Sequence, residues 1–310
     1  MKPAIFVAFR LPPELEALQD GGFDVHLGHG NRPALEPAKR EQVRGLVTNG
    51  IRGAEKALID YFPRLEIIAS LGIGLDALDL VAARARGLVV TNTPGVIADD
   101  AADLAMALLI DRRRQLTRAN RFVVAGQWRN GPFPLARSLT GMTLGIVGLG
   151  AIGSAVARRA EAFRIRVKWH GPRPKPDVPY EYVADLEQLA RDSDALVVTC
   201  AGGPATRHLI GAPVLAALGP DGILINIARG SIVDTDALIA ALRGGQIAAA
   251  ALDVFEKQPE VPQELLAMEN VLLTPHLGTA TRETRARMGS MVIESLYEHF
   301  AGRSPRHRVA

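Results

Sequence analysis

A chain of 310 residues is long enough for two domains, and a hydrophobic share of 48% can fill two cores. No apolar run reaches the roughly 18 residues of a membrane span, and a formal net charge of +3 from interspersed acids and bases does not point to nucleic acid. The one cysteine, Cys200, excludes an internal disulfide and suits a reducing cytoplasm.

Residues 4–9 (Ala-Ile-Phe-Val-Ala-Phe) read as a first strand, too short and too soon polar for a signal peptide. Further strand-length apolar runs fall at 25–26, 45–48, 67–70 and 88–91. Helical stretches at 14–19 and 54–61 lie between them. This alternation predicts a parallel sheet covered by helices. Near Thr93-Pro94-Gly95 the texture changes, and a long helix runs from Asp99 through Leu109. Its many small residues suggest close packing at a domain or subunit interface. A second series begins at Met142. Strands are expected at 144–147, 166–170, 195–199, 222–227, 248–253 and 271–274, with a helix at 154–163 after the first. The proline-rich stretch 172–179 reads as a loop, and a last helix at 281–299 follows the series. A final helix after a second α/β unit suggests that the chain returns to the first.

Between the strand at 144–147 and its helix lies Gly148-Leu149-Gly150-Ala151-Ile152-Gly153. A glycine-x-glycine-x-x-glycine string alone is weak, but strand before and helix after are what a dinucleotide turn requires. Gly148 permits the tight turn, Gly150 lets a pyrophosphate approach the backbone, and Gly153 lets helix and strand pack closely. The helix N-terminus then faces the phosphates. An NAD site usually carries an acid about 20 residues further on. Here Trp169-His170-Gly171-Pro172-Arg173-Pro174-Lys175 has none before Asp177, so Arg173 and Lys175 favour NADPH, with NADH possible. Arg229 follows the strand at 222–227, where open α/β sheets bind ligands, and could hold a carboxylate and polarise a carbonyl. His276, between Pro275 and Leu277-Gly278, suits proton transfer near neutral pH. Gly72–Gly74 forms a glycine-bearing turn whose free N–H groups could take a carboxylate.

Taken in order, Ser70-Leu71-Gly72-Ile73-Gly74-Leu75-Asp76, Thr91-Asn92-Thr93-Pro94, Gly148–Gly153, Asn226-Ile227-Ala228-Arg229-Gly230, Leu252-Asp253-Val254-Phe255-Glu256 and Thr274-Pro275-His276-Leu277-Gly278 resemble the D-2-hydroxyacid dehydrogenase family, in its glyoxylate/hydroxypyruvate reductase branch. The resemblance spans nearly the whole chain. It implies an α/β protein of two Rossmann-like, doubly wound parallel-sheet domains, one flavodoxin-like and one dinucleotide-binding. It implies a cleft active site, domain closure and a homodimer. The substrate domain is then discontinuous, residues 1–96 and 277–310, with the NAD(P)-binding domain at 97–276. The expected activity is NADPH-dependent reduction of small 2-oxo acids to D-2-hydroxy acids in the cytoplasm, with no nucleic-acid, membrane or metal partner.

The resemblance also assigns roles. Arg229 becomes the catalytic arginine and His276 the acid/base. Leu71, Gly72, Ile73 and Gly74 join them at the substrate. Leu149, Ala151, Ile152, Cys200, Thr206, Ile227, Ala228, Asp253 and Gly278 join the three glycines, Arg173 and Lys175 at the cofactor, with Asp253 holding the nicotinamide ring. One position departs from the pattern: the carboxylate that usually partners the histidine is here Gln258, before Pro259. A neutral amide orients the ring without stabilising its charged form, which makes His276 less basic than in relatives with Glu. Glu256 lies nearby as a possible substitute. Formate dehydrogenases of the same superfamily also pair Gln with this histidine, so the alternatives are a formate dehydrogenase or a different 2-hydroxyacid dehydrogenase. A dinucleotide-sensing interaction protein is an alternative of another class, opposed by Arg229 and His276. In relatives the region of Gly126-Gln127-Trp128-Arg129 and Phe133-Pro134-Leu135 helps form the dimer. Trp128 is expected to pack, and Phe133 and Leu135 are weaker pocket candidates.

Overall fold

The structure, a computed structural model, describes residues 2–28 and 35–310. They fall into two compact units, Met1–Val96 with Thr281–Ala310, and Ile97–Ala280. The second crossing between units thus lies after Ala280, a little beyond the boundary read from the sequence.

The first unit holds a parallel sheet of β1 (Ala4–Val7), β2 (Asp24–Leu27), β3 (Val43–Asn49), β4 (Ile67–Leu71) and β5 (Val89–Thr91). Their order β2-β1-β3-β4-β5 is that of flavodoxin-like sheets. β4 is buried along its whole length, as a strand covered on both faces must be. The final helix, Arg282–Phe300, belongs to this unit and packs on β4. It comes so close to the first helical turn that a Cβ on Gly289 would collide with the Glu14 carbonyl oxygen. The tail beyond it pairs with β5: Val309 N–H donates to the Val90 carbonyl and Val90 N–H to the Ala310 carbonyl.

The second unit holds β6 (Thr143–Val147), β7 (Arg166–His170), β8 (Glu181–Tyr182), β9 (Ala195–Val198), β10 (Ile223–Asn226), β11 (Ala249–Leu252) and β12 (Val271–Leu273). All pairings are parallel, in the order β12-β11-β10-β9-β6-β7-β8. This is the dinucleotide-binding order, extended by one strand, and it reverses at β6/β9. Side chains alternate between the faces. Ile223, Ile225, Ala249 and Ala251 enter one core; Leu224, Ala250 and Leu252 enter the other.

The long helix, Ala98–Arg114, shows what its small residues pack against within the second unit. Its small residues Ala101, Ala102 and Ala105 share a core with Ala155, Ala157 and Ala160 of the helix Ala151–Ala162, inside the second unit. They serve helix–helix packing within that unit. Arg159 ties the same two helices together through Asp99 and Asp103.

Candidate active site

The glycine turn follows β6, at the carboxyl end of the sheet and beside the point where strand order reverses. Each glycine meets a different requirement. Gly148 has φ +98°, and a Cβ there would lie 2.6 Å from the Cys200 backbone. A Cβ on Gly153 would collide with the Gly148 carbonyl oxygen, so helix and strand touch there. Gly150 faces open space: a Cβ would have nothing within 4 Å. Gly150 is also the residue that caps the helix Ala151–Ala162, and no side chain caps the first helical N–H groups. A cradle of open backbone with uncapped donors fits a pyrophosphate. Of the other turn residues, Leu149 is buried and Ala151 exposed.

The basic loop after β7 is split in its behaviour. Arg173 is exposed. Lys175 reaches back, donating to the Leu149 carbonyl with its ammonium 5.9 Å from the Trp169 ring centre. The lysine is therefore latched onto the glycine turn and is no free loop base. Opposite the turn, after β9, the half-buried Cys200 has its thiol pushed up to about 11 by burial, so it is a neutral wall. Thr206 donates to the Ala201 carbonyl at 2.8 Å and shapes that loop.

Three adjacent strands then place the reactive candidates at the same edge: Arg229 after β10, Gln258 after β11, and His276 after β12. Arg229 is half-buried and donates to the Ala228 carbonyl at 2.8 Å. Ile227 and Ala228 are buried beneath it. Its turn is pinned by Asn226, a buried residue that the sequence reading did not single out. Asn226 Nδ2 donates to the Arg229 carbonyl (2.9 Å), and Ala228 N–H donates to Asn226 Oδ1 (3.0 Å).

His276 sits in the left-handed region, φ +56°, which L residues seldom adopt. Asp253 holds it there. Its carbonyl accepts from His276 N–H at 3.0 Å. Its carboxylate accepts from Thr274 Oγ1 (2.6 Å), Leu277 N–H (2.7 Å) and Gly278 N–H (2.9 Å). Asp253 is 0% exposed. This carboxylate thus fastens the histidine's own turn, with two donors on Oδ1 and one on Oδ2. Gln258 Nε2 lies 3.0 Å from His276 Nδ1, and Gln258 Oε1 accepts from Phe255 N–H at 3.4 Å.

Glu256 does not substitute for a carboxylate beside the histidine. It is engaged by Thr235 Oγ1 at 2.7 Å, Thr235 N–H at 3.3 Å and His208 Nε2 at 3.3 Å. Burial pushes its carboxyl up, but these bonds outweigh burial and hold it below the usual glutamate range.

In the first unit, the Gly72 N–H is bonded, contrary to the free donor that the sequence leads one to expect. It donates to Thr93 Oγ1 at 3.0 Å, while Asn92 Nδ2 donates to the Ile73 carbonyl. Only the Ile73 and Gly74 N–H groups of this turn, after buried Leu71, have no partner described. In the second unit, Trp128 is 67% and Leu135 99% exposed, so neither packs within its own unit. Phe133 meets Phe122 edge-on at 5.3 Å.

Residues 106–278, more than half of the chain, match the family described as D-isomer specific 2-hydroxyacid dehydrogenase, NAD binding domain. The chain belongs to this family of oxidoreductases. It is 45% identical to glyoxylate/hydroxypyruvate reductase A of Arabidopsis thaliana over 273 residues, covering 88% of this chain and 87% of that one. It is 44% identical to hydroxyphenylpyruvate reductase of Plectranthus scutellarioides, covering 86% and 88%. Among solved structures, the NADPH-dependent glyoxylate/hydroxypyruvate reductase of Sinorhizobium meliloti, in complex with NADP and malonate, matches with a TM-score of 0.94. Its identity is 40%, over 100% of this chain and 97% of that one.

Proposed function

We propose that this protein reduces small 2-oxo acids, glyoxylate and hydroxypyruvate among them, to D-2-hydroxy acids with NADPH. The observation that carries the reading is the row formed by Arg229, Gln258 and His276 at the ends of three adjacent strands, beside an open glycine turn. The nicotinamide supplies the hydride when bound. The Ile97–Ala280 unit is the cofactor domain, and the other unit carries substrate contacts. Gly148, Gly150 and Gly153 seat the pyrophosphate. Arg173, with Lys175 beside the turn, meets the 2′-phosphate. The guanidinium of Arg229 holds the substrate carboxylate and polarises the carbonyl, stabilising the charge that grows on its oxygen. His276 delivers the proton to that oxygen. In the first unit, the Ile73 and Gly74 N–H groups serve a carboxylate.

We also infer a homodimer. Leu116, Val123, Val124, Trp128 and Leu135 are half to almost fully exposed along one stretch of chain, a density of apolar surface that monomers avoid. Among the described residues no helix is long and apolar enough to cross a membrane.

The Gln258–His276 pair favours a second reading, formate oxidation, since that reaction releases no proton to a base. One panel decides. Glyoxylate, hydroxypyruvate and larger 2-oxo acids are assayed with NADPH and with NADH, and formate with both oxidised cofactors. Turnover of 2-oxo acids with NADPH supports the proposal. Turnover of formate alone replaces it. Tight NADPH binding with no turnover at all favours a dinucleotide sensor.

A further inference from the structure

The Glu256 carboxylate stands where three loops of the second unit converge. The loop after β11 carries Glu256 and, two residues on, Gln258. The loop after β10 carries Arg229 and runs through a short turn to Thr235, the first residue of the helix Thr235–Arg243. Thr235 offers Glu256 both its hydroxyl and its N–H. The loop after β9 contributes His208, whose Nε2 lies 3.3 Å from Glu256 and whose Nδ1 lies 3.8 Å from Asp234. His208 is itself in the left-handed region, φ +51°, and its N–H donates to the Ser231 carbonyl at 2.8 Å.

The backbones beneath leave little freedom. A Cβ on Gly230 would collide with the Phe255–Glu256 peptide, so the residue after Arg229 rests directly on the strand-end loop of Gln258. That same Phe255 donates its N–H to Gln258 Oε1. A shift of the 254–258 loop against the 229–235 loop would therefore move Gln258, and with it His276, relative to Arg229. Two side chains in this junction each meet both of the other loops: His208, which faces Asp234 and Glu256, and Glu256, 24% exposed, which alone accepts from the Thr235 hydroxyl and N–H.

We propose that Glu256, bridged to Thr235 and His208, is a positioning residue that sets the register of the Arg229 loop against the Gln258–His276 pair. The inference rests on the roles given above to Arg229 and His276. Glu256 touches neither substrate nor reacting atoms. Its effect belongs on the rate of the bound complex, because hydride and proton transfer tolerate little misalignment while ground-state binding tolerates more.

The test uses the full-length protein with glyoxylate and NADPH. Glu256→Ala removes every acceptor; Glu256→Gln keeps an oxygen for Thr235 and an amide for His208. Thr235→Val removes one bond and keeps the carboxylate. Arg229→Gln and His276→Gln are run alongside. Expected for Glu256→Ala is a loss in kcat of about 10- to 100-fold. KM and NADPH affinity stay within about threefold, and Glu256→Gln recovers most of the loss. Thr235→Val falls between the wild type and Glu256→Ala. Native kcat in Glu256→Ala overturns the proposal, as does a loss that Glu256→Gln fails to recover. Should Glu256→Ala not fold, an unchanged kcat in Thr235→Val overturns it and a reduced kcat at constant KM supports it. Full activity in Arg229→Gln or His276→Gln instead overturns the role given to that residue, a different failure.

Discussion

Gln258 Nε2 and His276 Nδ1 face each other at 3.0 Å, with the other end of the amide held by Phe255 N–H. In this orientation the amide donates to the ring, so a neutral imidazole keeps its proton at Nε2. A doubly protonated ring needs an acceptor at Nδ1, which Gln258 provides only by turning its amide over and giving up the 3.4 Å bond from Phe255. A carboxylate would accept in either orientation and would also stabilise the positive charge. With His276 as the proposed proton donor, reduction requires the protonated ring, so activity is expected to fall as pH rises through its deprotonation. Gln258→Glu is expected to move that basic limb of kcat/KM upward by about one pH unit or more. A pH–rate profile with glyoxylate measures it, and coincident limbs in the two proteins would remove the amide from the argument.

The glycine turn separates folding from binding. Alanine at Gly150 meets nothing within 4 Å, and the residue's φ of −83° suits an L side chain. Gly150→Ala should melt at the wild-type temperature but bind NADPH at least about tenfold more weakly, because its methyl occupies the pyrophosphate's approach. Gly153→Ala meets the Gly148 carbonyl and Thr199 Oγ1. Overpacking of this kind costs about 1–3 kcal/mol, so its melting temperature should drop. Paired thermal melts and cofactor titrations distinguish the two. Equal melting losses would mean that Gly150 is as enclosed as Gly153.

Much of this was legible in the sequence because strands and turns leave local marks. β7 has the bounds that periodicity predicted, and β6 and β9–β12 lie within a residue or two of expectation. The order of motifs put Gln258 and His276 in one site. What escaped has no local mark. β8 is a two-residue strand held at the sheet edge by pairing with Lys168 and Trp169, and two residues carry no period. The alanines of Ala98–Arg114 say that something packs closely but not what. The resemblance assigns Asp253 to the nicotinamide ring but says nothing of what else its carboxylate bonds. Its partners, Thr274, Leu277 and Gly278, lie more than twenty residues on, and only the fold reveals that its carboxylate fastens the turn of His276. Glu256 and His208 are 48 residues apart, and no spacing rule connects them.

The proposed preference for NADPH rests on Arg173. Lys175 is already held by the Leu149 carbonyl, whereas Arg173 is exposed in the position where an NAD site would place an acid. A bidentate guanidinium–phosphate contact is worth about 1.5–3 kcal/mol. Arg173→Ala should raise KM for NADPH by about 10- to 100-fold and leave KM for NADH unchanged. An equal rise for both cofactors would place Arg173 on a shared part of the nucleotide.

The exposed stretch that we read as a dimer arm is fastened at its root by Asp111. This buried carboxylate accepts from Thr117 Oγ1 at 2.6 Å and Thr117 N–H at 2.8 Å, and it pairs with Arg112. Burial pushes its pKa up, but those bonds win and hold it below the usual range. A carboxyl depressed in the folded state contributes stability that is fully present above its unfolded value, near about 4. That stability is lost as pH falls through the folded value. The start of the helix Leu116–Val124 should therefore stay fastened from neutral pH down to about 4 and loosen below it. Asp111→Ala should loosen it at pH 7, at a cost of about 1–3 kcal/mol, since it strands Thr117 N–H and Arg112. Limited proteolysis within residues 116–137 and sedimentation velocity read both effects. If this arm holds two subunits together, the variant should sediment as a weakened dimer at neutral pH, as should the wild type in acid. A variant that remains a protease-resistant dimer would show that the arm is fastened elsewhere.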